Sequence, residues 1–267
     1  MNASRVGAVV VRMFYLYRGS PQRIFPIFIF VAVDILIWGF MTRYLNSVSH
    51  AGFNFVPALL GAVLLWDFLT RVMQQLTMTL FEDVWTRNFL NLFASPLRTS
   101  EYLAGLLIVA VTTSLLSLVV MLILAQAAFG LSFLVYGAAL APFLMVLFVT
   151  GIALGVAASA LVLRLGPTSE WLIWPIPMLI SPFAGVLYPI AILPGWMRAV
   201  SAILPPAYVF EGMRAVVDGQ PPPWDRLAIG GVLALVYLAL ACLFFFAVYR
   251  SVIRNGLIAR YSAETVT

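Results

Sequence analysis

Residues 102–125 read YLAGLLIVAVTTSLLSLVVMLILA, an unbroken run without one charged side chain. As an α-helix rising about 1.5 Å per residue it reaches about 36 Å, more than the roughly 30 Å hydrocarbon core of a bilayer. The run is therefore read as a membrane span. Outward from it, comparable runs lie near Ile24–Leu45 and Phe55–Phe81 on one side, and near Phe133–Leu163, Trp171–Leu193 and Leu227–Tyr249 on the other. The run Trp171–Leu193 carries Pro175, Pro177, Pro182 and Pro189. Together they predict an all-α polytopic membrane protein with six transmembrane helices.

Composition agrees. Of 267 residues 63% are hydrophobic and 9% charged, against about 45–50% and 25% in soluble globular chains. Six spans leave loops too short for a separate globular domain, so one transmembrane domain over 1–267 is expected. The single Cys242 excludes a disulfide framework or Cys-based metal site, and the single His50 excludes a His-rich one. No Ser lies in a G-x-S-x-G elbow, and one His supplies neither a triad nor an H-E-x-x-H zinc pair. All fifteen basic residues are Arg. Without Lys there is no G-x-x-x-x-G-K-[ST] phosphate loop, so any ATP and its Mg²⁺ belong to a partner chain, and no cofactor or metal is expected in this one.

The net charge of +5 is distributed as membrane topology, not as a nucleic-acid patch. With the amino terminus inside, Arg5, Arg12, Arg18, Arg23, Arg87, Arg98, Arg164, Arg250, Arg254 and Arg260 are cytoplasmic. Arg43, Arg198, Arg214 and Arg226 are outside, and Arg71 lies within the second span. This bias places both termini in the cytoplasm. Residues 1–23 are too interrupted by Arg for a secretory leader and are expected to form an interfacial helix on the bilayer.

Between the second and third spans, Glu82–Phe93 repeats Trp85, Phe89 and Leu92 on one helical stripe and Asp83, Arg87 and Asn91 on another, with Glu82 and Asp83 in its first turn. This predicts a short cytoplasmic amphipathic helix, either resting on headgroups or docking a cytoplasmic motor. Ser95-Pro96 then offers a cap and a Pro suited to starting the next helix. Within the membrane, Asp67 and Arg71 are spaced i, i+4 and can pair on one face. Asp34 has no local partner; it either lines a substrate path or carries a proton, or is inter-helix glue bonded to Arg71, a Tyr or backbone across a dimer seam. Gly151-x-x-x-Gly155 with Ala158-Ser159 is a close-packing stripe. Trp38, Trp66, Trp171, Trp174, Trp196 and Trp224 read as interfacial belts or as a stacking surface for lipid or carbohydrate. Pro194 and Pro205-Pro206 bracket Gly195–Leu204, too short to span. Residues 193–217 are therefore expected to enter from the outer side and turn back, the alternative being helices flat in the outer interface.

The run Ser181–Trp196, SPFAGVLYPIAILPGW, is followed by Ile203-Leu204-Pro205-Pro206-Ala207-Tyr208 and Glu211-Gly212-Met213-Arg214. This order resembles the signature of type-two ATP-binding-cassette (ABC) exporter permeases: Gly-x-x-Tyr/Phe-Pro, Leu-Pro-x-Trp, Leu-Pro-x-x-Tyr and Glu-x-x-Arg. The stretches Leu92–Leu97 and Glu101–Gly105 are similar to the segment after that family's coupling helix, although this chain reads Arg87-Asn88-Phe89-Leu90 where many members carry Gly-Thr-Leu-Glu. The resemblance implies a homodimeric or pseudo-dimeric pore in a bacterial-type inner membrane, bound to two cytoplasmic ABC ATPase subunits. Glu82–Phe93 would be the coupling helix, with Glu82, Asp83, Trp85, Arg87 and Asn91 at the ATPase. Tyr188, Pro189, Pro194, Trp196, Pro205, Pro206, Tyr208, Glu211 and Arg214 would form the outer re-entrant gate. Cargo in such families includes drugs, lipids, lipid-linked glycans and polysaccharides. Two other readings stand beside it: a non-transporting scaffold or sensor subunit, and an ion-coupled transporter using Asp34 and Asp67.

Overall fold

A computed structural model describes residues 2–48, 56–85, 95–166, 169, 171 and 173–255, with side chains undescribed at 21–28, 82, 84, 85 and 99. Within them all regular structure is helical: α1 (Ala3–Gly19), α2 (Pro21–Val48), α3 (Gly61–Trp85), α4 (Thr99–Phe129), α5 (Leu140–Leu165), α6 (Pro175–Ala184), α7 (Gly195–Ala202), α8 (Pro205–Val217) and α9 (Trp224–Arg254). A π turn, Val56–Leu60, leads into α3, and a 3₁₀ segment, Phe133–Ala139, leads into α5. Among the described residues five stretches are long and apolar enough to cross a membrane: Ile29–Val48, Val56–Phe81, Ser100–Phe129, Phe133–Leu165 and Trp224–Arg254.

The core has two layers stacked along the helix axes. One contains Phe68 and Val72 of α3, Leu118 and Met121 of α4, Phe143 and Leu147 of α5, and Leu227 and Ala234 of α9. The other contains Leu76 and Leu80 of α3, Leu106 and Val109 of α4, Val156 and Leu163 of α5, Phe245 and Val248 of α9, and Val9 and Met13 of α1. The order in which each helix visits the layers fixes its direction. Helices α3 and α4 are antiparallel, as are α4 and α5, whereas α5 and α9 run parallel and pack against each other more extensively than any other pair. The chain ends α5 in the layer that holds α1 and starts α9 in the other. Residues 166–223 must therefore return through the thickness of the bundle.

That return is not the continuous helix expected over Trp171–Leu193. Among the described residues there, the only α-helix is α6, ten residues long, about 15 Å against a core of roughly 30 Å. The prolines explain the change. Pro175 opens α6, Gly185 closes it at φ 65°, and Pro189 and Pro194 begin the next two helical pieces, the 3₁₀ turn Ile190–Ile192 and α7. A long apolar run thus becomes one short helix and a folded loop.

Two other boundaries differ from expectation. Residues 82–85 form the last turn of α3 rather than the first turn of a separate helix, and 86–93, with Arg87 and Asn91, lie outside the described residues. Helix α4 begins at Thr99, three residues beyond Pro96, because Glu101 caps it: its Oε2 accepts from the Arg98 N–H at 3.1 Å.

The stripe Gly151-x-x-x-Gly155 joins α5 to α3. A Cβ on Gly151 would lie 2.8 Å from the Leu69 carbonyl oxygen, and one on Gly155 would lie 3.0 Å from that of Met73. Only glycine permits this approach. The Thr77 hydroxyl donates to Met73 O at 2.9 Å within α3 and reaches Gly155 O at 3.4 Å across the seam.

Candidate functional site

Among the described residues, three polar constellations interrupt the apolar bundle. The first is intramembrane. On α3, Arg71 Nε donates to Asp67 Oδ2 at 2.6 Å, one helical turn away. Its Nη2 lies 3.6 Å from Asp34 Oδ2 of α2. Arg71 thus links two helices through both acids, which compensates charges that would be costly in hydrocarbon. The members are unequally covered: the Asp34 side chain is 40% exposed, that of Asp67 15% and that of Arg71 9%.

Asp34 and Asp67 open into a cavity of about 520 Å³ between α2, α3 and the broken segment around α6. Its aromatic walls are Trp38 of α2, Trp66 of α3, Trp174 just before α6, and Tyr188 in the loop after it. Trp66 is steadied from behind by Phe210 of α8, with ring centroids 6.1 Å apart. Thr70 also lines the cavity, and its hydroxyl oxygen is buried without a hydrogen-bond partner among the described residues. Sequence reading singled out the two acids and Arg71 but not this grouping. Its local signal is the helical spacing of Asp34 with Trp38 and of Trp66 with Thr70, each i, i+4.

The second constellation lies at the α1 end of the bundle. Asp83 is wholly buried near the end of α3, where it pairs with Arg12 of α1 and accepts from the Tyr102 hydroxyl of α4 at 2.6 Å. Eighteen residues along, Glu101 accepts from the Asn2 N–H at 2.7 Å and faces Arg5 Nη1 at 3.5 Å, while Arg5 also donates to Pro96 O at 2.6 Å. Helix α1 therefore grips the chain on both sides of the connection between α3 and α4. Asp83 is not part of an exposed charged face, as its helical stripe suggested; Arg12 satisfies its charge and lets it be buried. The backbones at Glu82 and Trp85 continue α3.

The third constellation ties the segment after α6. Tyr188 donates to Pro182 O at 2.8 Å, and Glu211 Oε1 accepts from both the Ile190 N–H at 2.9 Å and Arg214 Nη2 at 2.8 Å. Ser201 donates to Phe183 O at 2.6 Å and Tyr208 to Ala202 O at 2.7 Å. These bonds satisfy irregular backbone that would be costly in lipid. Pro194 caps α7, and the buried Pro205 and Pro206 open α8. Glu211 and Arg214 are thus brought to the turn that follows Tyr188 and Pro189, while Trp196 stays exposed against the edge of Phe183. On α8, Phe210 and Met213 are buried and Val217 partly so.

The family model described as ABC-2 family transporter protein matches residues 41–249, most of the chain, from the second half of α2 to near the end of α9. The chain belongs to the ABC-2 transporter family. No curated protein matches its sequence. As an ABC-2 chain it is an integral membrane component of transport, of a kind that associates with ABC ATPase components and is not generally catalytic itself. Within this ABC-2 chain the match takes in Asp67, Arg71, the whole α6–α8 segment and the parallel α5 and α9; α1, Asp34 and Trp38 precede it.

Proposed function

We propose that this ABC-2 chain is the permease subunit of an ATP-driven exporter, working as a homodimer with two cytoplasmic ABC ATPase subunits in a bacterial-type inner membrane. ATP and Mg²⁺ would bind only in the partner. The family match across 41–249 carries the reading. In it, the α1 end is cytoplasmic, in keeping with Arg98 at the start of α4, Arg164 near the end of α5 and Arg254 at the end of α9. The broken segment around α6 completes a sixth crossing, and α7 and α8 form a re-entrant gate at the outer mouth. The connection between α3 and α4 is the ATPase contact, and α1 braces it through Asp83 and Glu101. The cargo is amphipathic and leaves from the cytoplasm or the inner leaflet.

Gentle isolation of the tagged chain should co-isolate an ATPase carrying a phosphate loop. Inverted vesicles holding the complex should accumulate cargo only with ATP. In a Cys242→Ala background, a single Cys at Ser4 should be silent to an impermeant thiol reagent in intact cells and one at Gly219 should react. A chain that never brings down an ATPase, or labelling at Ser4, is incompatible with this reading.

A further inference from the structure

We propose that the cavity between α2, α3 and the α6 segment binds an organic cation with an apolar body, of quaternary ammonium or phosphonium type, which rests on the exporter reading only in treating that cation as cargo. The charge balance gives the sign. Asp34 and Asp67 face a single Arg71, so by formal count two carboxyl groups stand against one guanidinium. Arg71 is covered and engaged by both carboxylates, whereas Asp34 is the member left open, held only at 3.6 Å and exposed to the cavity. An incoming anion would meet Asp34 before it met Arg71, and an incoming cation would meet an unsaturated carboxylate.

The walls give the chemistry. Four aromatic residues, Trp38, Trp66, Trp174 and Tyr188, line it, and aromatic π faces attract a cation without demanding that it donate hydrogen bonds. The rim adds Met178 and Leu187, both exposed apolar side chains. A volume of about 520 Å³ lies within the ordinary span of small-molecule sites, about 300–1,000 Å³. A bare inorganic dication fits less well: among the described residues no group of three or more His, Cys, Asp or Glu side chains converges anywhere, and indole rings give such an ion no oxygen ligands. The unpartnered Thr70 hydroxyl adds one polar contact for a cargo oxygen or a water travelling with it. Asp34 and Trp38 precede the family match, so the match conveys nothing about this half of the site.

The test uses the full chain in lipid nanodiscs, without ATPase or ATP. Radiolabelled tetraphenylphosphonium and, measured separately, tetraphenylborate serve as probes of near-equal shape and opposite charge. Saturable binding is expected for the cation and not for the anion. Asp34→Asn should raise the dissociation constant for the cation about tenfold, and Trp174→Ala, at the exposed rim, should raise it severalfold. Thermal unfolding of each variant checks its fold. Equal saturable binding of both ions, or unchanged cation affinity in a folded Asp34→Asn, overturns the site. If Asp34→Asn does not fold, unchanged affinity in Trp174→Ala does so instead. Because the assay contains no ATPase, failure to co-isolate one would count against the exporter reading and leave this result standing, and the reverse holds too.

Discussion

Asp83 illustrates what a single residue can cost this protein. Its carboxylate is fully covered, with Arg12 and Tyr102 among its partners, and breaking a buried ion pair by removing one partner typically costs about 3–5 kcal/mol. Arg12→Gln should therefore destabilise the folded chain by about that amount in mixed-micelle unfolding with sodium dodecyl sulfate. Arg12→Gln combined with Asp83→Asn should recover part of the loss, because the buried carboxylate charge is then removed together with the guanidinium. A loss below about 1 kcal/mol for the single variant would place the pair among weak surface bridges instead. The same contrast explains how much of the site the sequence exposed. Asp67 and Arg71 could be paired from helical spacing alone, because both partners share one face. Arg12 and Asp83 could not, since they lie 71 positions apart and only the docking of α1 brings them together. Asp34 falls between: Arg71 stands among its candidate partners in the sequence and is the one it faces, but the choice of Arg71 over a Tyr or backbone group, and the aromatic walls around the pair, depend on how α2, α3 and the α6 segment meet.

At the scale of helices, the α3–α5 seam depends on two missing side chains. With a backbone carbonyl 2.8 Å from any Cβ at Gly151, Gly151→Leu must push α5 away from α3, and overpacking of this kind costs about 1–3 kcal/mol or more. The variant should show a lower folded yield and an earlier size-exclusion loss on heating than Gly137→Leu or Gly219→Leu, whose backbone strain is not joined to a crowded seam. Equal yields for all three would mean that the close approach matters little. Hydropathy located α2, α3, α4, α5 and α9 well, since length and uninterrupted apolar character suffice for helices that cross whole. It overran at Trp171–Leu193 because proline and glycine do not lower hydropathy: the run remains apolar while its backbone turns. The boundary at residue 82 was missed for a related reason. Charge and amphipathic period suggested a new helix, yet Asp83 has a partner that permits α3 to continue.

For the molecule as a whole, the parallel α5 and α9 force a return through 166–223, a path whose described helices α6, α7 and α8 are all short, α6 being ten residues long. The outward side chains of α6, Met178 and Leu179, are 77% and 69% exposed. A full-length helix presents an apolar flank as tall as the bilayer core, but α6 presents roughly half of it, about 15 Å. Any lipid packed against that flank must shorten or tilt its chains, at fractions of a kcal/mol for each ångström of mismatch. Acyl-chain length thereby becomes a variable of the protein. Reconstituted into phosphatidylcholines of rising chain length, the complex should transport fastest in the thinner films and slow as the film thickens, with a smaller change in the unfolding temperature of the chain. Rates indifferent to thickness would mean that another protein surface, rather than lipid, covers this flank. Where α6 does face lipid, the α6 flank is a built-in thin spot in the membrane, and the bilayer's resistance to being thinned there is a mechanical load that the transport cycle carries.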